Sequence, residues 1–233
     1  MVNNLKRAIN LLLWILLISG ILFLFHEPIK NWLVSIGVNK IGIDTISASE
    51  IKKNNEKDTS FNFEEVQEID LKTILMANLH KDEITVIGGI SIPSVDLNLP
   101  IGKGTSSYTL ALTAGTMKEN QVMGEGNYAL AGHHMKREDL LFSPLFKIER
   151  LASVYLTDLK YVYEYQIDEQ RTIKATDVDV LDDIEEKKIL TLITCDNDGE
   201  ARLLTRGHLV KKIPIEKAPN YVVEAFQLEI NNK

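Results

Sequence analysis

Residues 191–207 read TLITCDNDGEARLLTRG. Two strand-like runs, TLITC and ARLLTRG, flank a polar, glycine-bearing turn, the pattern of an antiparallel hairpin. Side chains alternate faces in an extended run. Leu190, Leu192 and Thr194 therefore share one side, and Thr191, Ile193 and Cys195 the other. Cys195, the only cysteine in 233 residues, ends its strand beside a loop, where a reactive group can meet a substrate. A lone cysteine is also commonly a small buried filler, so position alone does not make it a nucleophile.

Outward from this hairpin, alternation and β-branched residues dominate. ITVIGGISIPSVDLNLPI (84–101), NYALAGHH (127–134), SVYLTDLKYVYEYQI (153–167) and EKKILTLITC (186–195) all read as strands, as does RLLTRGHLVKKIPI (202–215). Short strands punctuated by Gly, Pro, Asn and Asp predict a mainly β domain built on a closed or nearly closed antiparallel sheet. Upstream, FEEVQEIDLKTILMANL (63–79) carries Phe63, Val66, Ile69, Ile74 and Leu75 at mostly helical spacing, which predicts a short amphipathic helix. The composition, 45% hydrophobic and 25% charged, fits one globular domain with a real core. A net charge of −7 with no basic block argues against a nucleic-acid partner. One cysteine excludes an internal disulfide.

At the N-terminus, Lys6 and Arg7 precede AINLLLWILLISGILFLF (8–25), which holds no charge. About 18 apolar residues is near the minimum for a helix that spans a bilayer. The bulky Leu22–Phe25 followed by His26-Glu27-Pro28 lacks the small-residue cleavage site of a signal peptide. The expectation is a transmembrane signal-anchor over 8–25. The positive-inside rule puts residues 1–7 in the cytoplasm and the remainder outside the cell. Residues 26–62 read as an extracellular stalk and linker, because SEIKKNNEKDTS (49–60) is too polar to build a core. The catalytic domain would then occupy 63–233.

A thiol becomes a strong nucleophile beside a base. The five histidines are His26, His80, His133, His134 and His208. His26 sits at the membrane edge, His80 in a charged stretch, and His208 beyond the arginines. His133 closes an apolar strand and shares its face with Ala129 and Ala131, which leave room around an imidazole. Adjacent strand residues point oppositely, so His133 and His134 do not form a metal pair, and HExxH is absent. A guanidinium can steady a developing oxyanion without deprotonating. If DNDGEA is a turn, Arg202 returns to the level of Cys195, with Arg206 on the order of 13 Å further along. Arg206 reads equally well as a solvated surface charge.

These segments resemble the sortase family. TLITC is similar to its TLxTC signature, ALAGHH to its histidine strand and ARLLTRG to its arginine strand, in the family's order of His, Cys, Arg. The resemblance covers roughly 80–210 plus the upstream anchor, and is greatest for class A, the housekeeping branch; no second span occurs at QLEINNK. It implies a single closed eight-stranded β-barrel with short helices, preceded by an N-terminal transmembrane helix. It further implies Cys195 as nucleophile, His133 as general acid/base and Arg202 as the group holding substrate and oxyanion. The implied substrate is a secreted protein with a Leu-Pro-x-Thr-Gly (LPxTG) sorting signal, cleaved between Thr and Gly. The implied acceptor is an amino group of a peptidoglycan precursor of the lipid II type. Some family members bind calcium in the loop before the histidine strand. Here Lys118 stands at the first probable ligand position and Glu125 near a later one, so no calcium or other cofactor is expected, the ammonium pairing with the carboxylate instead. Two rivals stay open: a specialised or mainly hydrolytic sortase, and a membrane-anchored wall-binding module with an inert cysteine.

Overall fold

The computed structural model describes residues 2–59, 61, 69–195 and 201–227. Its centre is a closed barrel of eight strands in the spatial order β1-β2-β3-β4-β7-β8-β6-β5. The strands are β1 (Val86–Ile92), β2 (Leu97–Gly102), β3 (Ala114–Thr116), β4 (Asn127–Ala131), β5 (Ser153–Thr157), β6 (Tyr161–Lys174), β7 (Ile189–Cys195) and β8 (Ala201–Pro214). β1 pairs with β5, which closes the ring. Ile90, Leu99, Tyr128, Leu130, Leu156, Tyr165, Leu190 and Leu192 point inward into one apolar core. The continuous run 153–167 is cut in two at Asp158, whose carboxylate accepts the N–H groups of Lys160 and Tyr161, with Leu159 at φ 63°.

The sheet is not wholly antiparallel. β2–β3 and β4–β7 are parallel pairs. Parallel neighbours need a crossover, which hydrophobic alternation does not reveal. Between β2 and β3 that crossover is α5 (Ser107–Leu112), started by Ser106, whose side chain accepts from the Thr109 N–H. β3 has three residues and ends before β4 begins. Past its end, the side-chain amide of Gln121 donates to the Ala129 carbonyl at 2.9 Å and accepts from the Ala129 N–H at 3.1 Å, standing in for a strand.

Residues 26–59, which read as stalk and linker in sequence, are instead mostly helical and packed on the barrel. α2 (His26–Lys40) buries Val34 and Val38, and α3 (Ala48–Asn55) buries Ile51 to 2% exposure. The polar composition misleads because few apolar anchors suffice when polar groups also bond to the barrel. Ser47 and Glu50 form a capping box at the start of α3. Asn54 donates to the Val86 carbonyl at 2.8 Å. The Lys103 ammonium donates to the carbonyls of Asn55 and Lys57 at the helix's C-terminal end, where a cation is favoured. Of the helix expected over 63–79, α4 (Leu71–Leu79) is present, N-capped by Asp70. Phe63 and Val66 lie outside the described residues. α4 is tied to α2 through Asn78, which donates to the Leu33 carbonyl. α6 (Asn220–Gln227) packs Val222 and Phe226 against Ile43, Ile51, Tyr155 and Val162.

α1 (Val2–Leu24) exposes Leu11, Trp14, Leu16 and Phe23. Among the described residues no single helix is long and apolar enough to cross a membrane; Ile9–Ile21 and His26–Thr45 pass only as a pair bent by 59°. The expected transmembrane helix is therefore not shown as one straight span. Pro28 contributes to the break, since it has no N–H for a continuous helix and is tolerated in the first turn of α2.

Candidate active site

The parallel register of β4 and β7 sets Ala129 opposite Thr191 and Ala131 opposite Ile193. The Gly132 N–H donates to the Ile193 carbonyl at 3.0 Å and carries the pairing one step further. His133 and Cys195, each two residues beyond the last pair, thus leave the sheet at the same level. On the other side of β7 the antiparallel register sets Cys195 directly opposite Arg202. The three predicted residues come together at one end of three adjacent strands. The residues on this face alternate with Tyr128, Leu130, Leu190 and Leu192 of the core, so the site lies on the barrel's outer surface.

Local packing holds each group. A side chain on Gly132 would meet the Phe142 ring at 2.4 Å, so only glycine lets the strand approach that ring. The Phe142 N–H in turn donates to the His133 carbonyl at 3.0 Å. His133 is 8% exposed, while Cys195 and Arg202 are half-buried. Burial disfavours the charged imidazolium, and the Arg202 guanidinium adds repulsion; together they lower the His133 pKa to about 4. At neutral pH the ring is uncharged and able to accept a thiol's proton. Thr194 faces away from Cys195, buried, and its hydroxyl has no hydrogen-bond partner among the described residues.

The remaining histidines stand apart. His134 packs on Phe146 with ring centroids 4.6 Å apart. His80 is not fully solvated: its Nδ1 lies 2.9 Å from the Met76 carbonyl and its ring stacks on Tyr108. His208 pairs with Asp168. Among the described residues no cluster of three or more His, Cys, Asp or Glu side chains is disposed to hold a metal ion.

Arg206 is not a solvated charge. It lies opposite Thr191, four residues from Arg202, and donates through Nη2 to the Val180 carbonyl at 2.7 Å. Lys118 pairs at 2.7 Å with Asp183 rather than with Glu125. Sequence reasoning missed Asn127, which is 1% exposed and bonds to Val180, Asp182 and Thr191. An asparagine opening an otherwise apolar strand was its only signal.

The chain matches the Sortase domain family over residues 90–210. It is 43% identical to Sortase A of Listeria monocytogenes over 215 residues, covering 91% of this chain and 95% of that one. It is 39% identical to Sortase A of Streptococcus agalactiae over 227 residues, covering 95% and 92%. The crystal structure of the Listeria monocytogenes sortase A superposes with a TM-score of 0.57, covering 60% of this chain and 97% of that one. With a closed eight-stranded barrel and the TLITC, ALAGHH and ARLLTRG segments meeting at one end of it, the chain belongs to the sortase family of cysteine transpeptidases and is most like class A.

Proposed function

We propose that this sortase cleaves an LPxTG-type sorting signal between Thr and Gly and transfers the surface protein to an amino group of a peptidoglycan precursor. The observation that carries the reading is the meeting of three groups: Cys195 paired across the sheet with Arg202, beside a buried, uncharged His133. Cys195 Sγ attacks the Thr carbonyl carbon while its proton passes to His133. The Arg202 guanidinium stabilises the oxyanion that forms. The protonated His133 then gives its proton to the departing Gly amine, leaving a thioester on Cys195. An acceptor amine attacks that thioester, releases the thiol and completes a two-step exchange.

In this reading the uncharged 8–25 segment anchors the enzyme in the cell membrane, with the barrel outside. The exposed apolar side chains of α1 support it. The enzyme needs no calcium, because the Lys118 ammonium supplies a positive charge to the Asp183 carboxylate.

Incubation with an LPxTG peptide, followed by mass spectrometry, is expected to show a thioester adduct on the fragment containing Cys195. Cys195→Ala should abolish both adduct and cleavage, and retained turnover would remove Cys195 from its role. Arg202→Ala should lower kcat by roughly 10²–10³-fold with normal folding, the size of a lost oxyanion donor. Product formation with and without an added amine separates transfer from hydrolysis.

A further inference from the structure

The outer face that ends in Cys195 has a second end. Thr191, Ile193 and Cys195 follow one another along β7 on this face, and Arg206, Leu204 and Arg202 are their partners on β8. At the far end sits a polar cluster. Thr191 donates to Asn127 Oδ1 at 2.7 Å, and Arg206 Nε donates to the Thr191 hydroxyl at 3.3 Å. Asn127 Nδ2 and Arg206 Nη2 both donate to the Val180 carbonyl, at 2.9 and 2.7 Å, and Asn127 also reaches the Asp182 carbonyl. Asp183 Oδ1 accepts the Asn127 N–H at 2.8 Å. Every donor or acceptor atom of the Asn127 side chain is thereby used on the segment 178–183 or on Thr191.

Between this cluster and Cys195 the same segment lays Val180 and Leu181 onto Ile193, Leu204 and Ile173. An apolar wall therefore stands on the sheet directly behind the nucleophile, beside the half-exposed Ala131 on β4. The Val180 and Asp182 carbonyls are held by Asn127 and Arg206, the Asp183 carboxylate by Lys118 and the Asn127 N–H, and the Asp182 N–H by the Asp179 carbonyl within the segment. Arg206 lies on the order of 13 Å along the strand from Arg202, too far to reach the reacting carbonyl.

We propose that Asn127, Thr191 and Arg206 form a clasp that fixes segment 178–183 as one wall of the peptide groove, making Asn127 and Arg206 positioning residues for the aliphatic part of the sorting signal. The proposal rests on the peptide-cleaving function above, and it assigns Arg206 a part in affinity and selectivity but none in chemistry.

Arg206→Met removes both donors, and Arg206→Lys keeps the charge without the fork. Thr191→Val, nearly isosteric, removes the bridging hydroxyl if the arginine variants fold poorly. The expected result for Arg206→Met is a rise in KM for an LPxTG peptide of roughly tenfold, the order of a lost charge-assisted hydrogen bond. kcat and the alkylation rate of Cys195 by iodoacetamide should stay unchanged. The preference for LPxTG over an APxTG peptide should shrink, and hydrogen exchange across 178–183 should quicken. Arg206→Lys should recover part of the KM loss. Unaltered exchange, or a fall in kcat with KM unchanged, would overturn the clasp. A wild-type enzyme inactive on LPxTG would overturn the proposed function instead, while the exchange measurement still decides whether the clasp holds the segment.

Discussion

At neutral pH His133 faces Cys195 as an uncharged ring, held so first by burial and then by Arg202. This has a consequence for stability that does not depend on catalysis. In the unfolded chain the ring titrates near 6.5, in the folded protein near 4. Between those values the unfolded state binds the extra proton, so stability falls as pH drops through 6.5 and the loss is complete below about 4. The largest loss is roughly 3 kcal/mol. Urea denaturation at pH 7 and pH 4.5 should show wild type losing more stability than His133→Ala over that interval; equal losses would mean the ring is not buried as described. The identity of this residue was legible in ALAGHH, because small Ala129 and Ala131 share its face. The role of Gly132 was not: a side chain there would meet the Phe142 ring, and alternation does not show that this ring, ten residues on, folds back over the strand end.

Elements set which residues meet. Hairpin reading of TLITCDNDGEARLLTRG led directly to the Cys195–Arg202 pair, since register in a hairpin follows from the turn. The His133 side of the site depends on a parallel pair, β4 with β7, whose connection is long and invisible to alternation. β3, with three residues, and α5, with six, went unread because so few residues give no periodic signal. The 178–183 segment was opaque because its anchoring donors, Asn127 and Arg206, lie on other strands. A second tie at this scale joins Lys118, ahead of β4, to Asp183 after β6. The ammonium and the Asn127 N–H hold the Asp183 carboxyl below the usual range. Millimolar calcium should therefore leave kcat/KM for a sorting peptide unchanged, and several-fold activation would show that the loop still wants a cation.

At the scale of the whole molecule, the barrel does not stand alone on a tether. α2 and α4 share its core, and α3 and α6 meet in a second apolar cluster against Tyr155 and Val162. Ile51 links segments more than a hundred residues apart in the chain, α3 with α6 and with the Tyr155 and Val162 strands. Ile51→Ala should destabilise the protein by about 2–5 kcal/mol, the span for a buried isoleucine. Thermal unfolding would read it, and a change under 1 kcal/mol would show α3 to be a loose appendage. Composition could not reveal this, because one isoleucine within a polar octapeptide carries the contact.

Closure of the sheet, completed at Ala129 by the amide of Gln121, bears on how a polypeptide can be caught at all. Where β4 is flanked by β3 and β7 and Ala129 is met by Gln121, an incoming chain finds no row of free N–H and C=O groups to zip against. Recognition is left to side chains and to whatever lies over the outer surface. Binding at that edge through side chains, without a main-chain ladder, is expected to let product leave sooner than a laddered grip would.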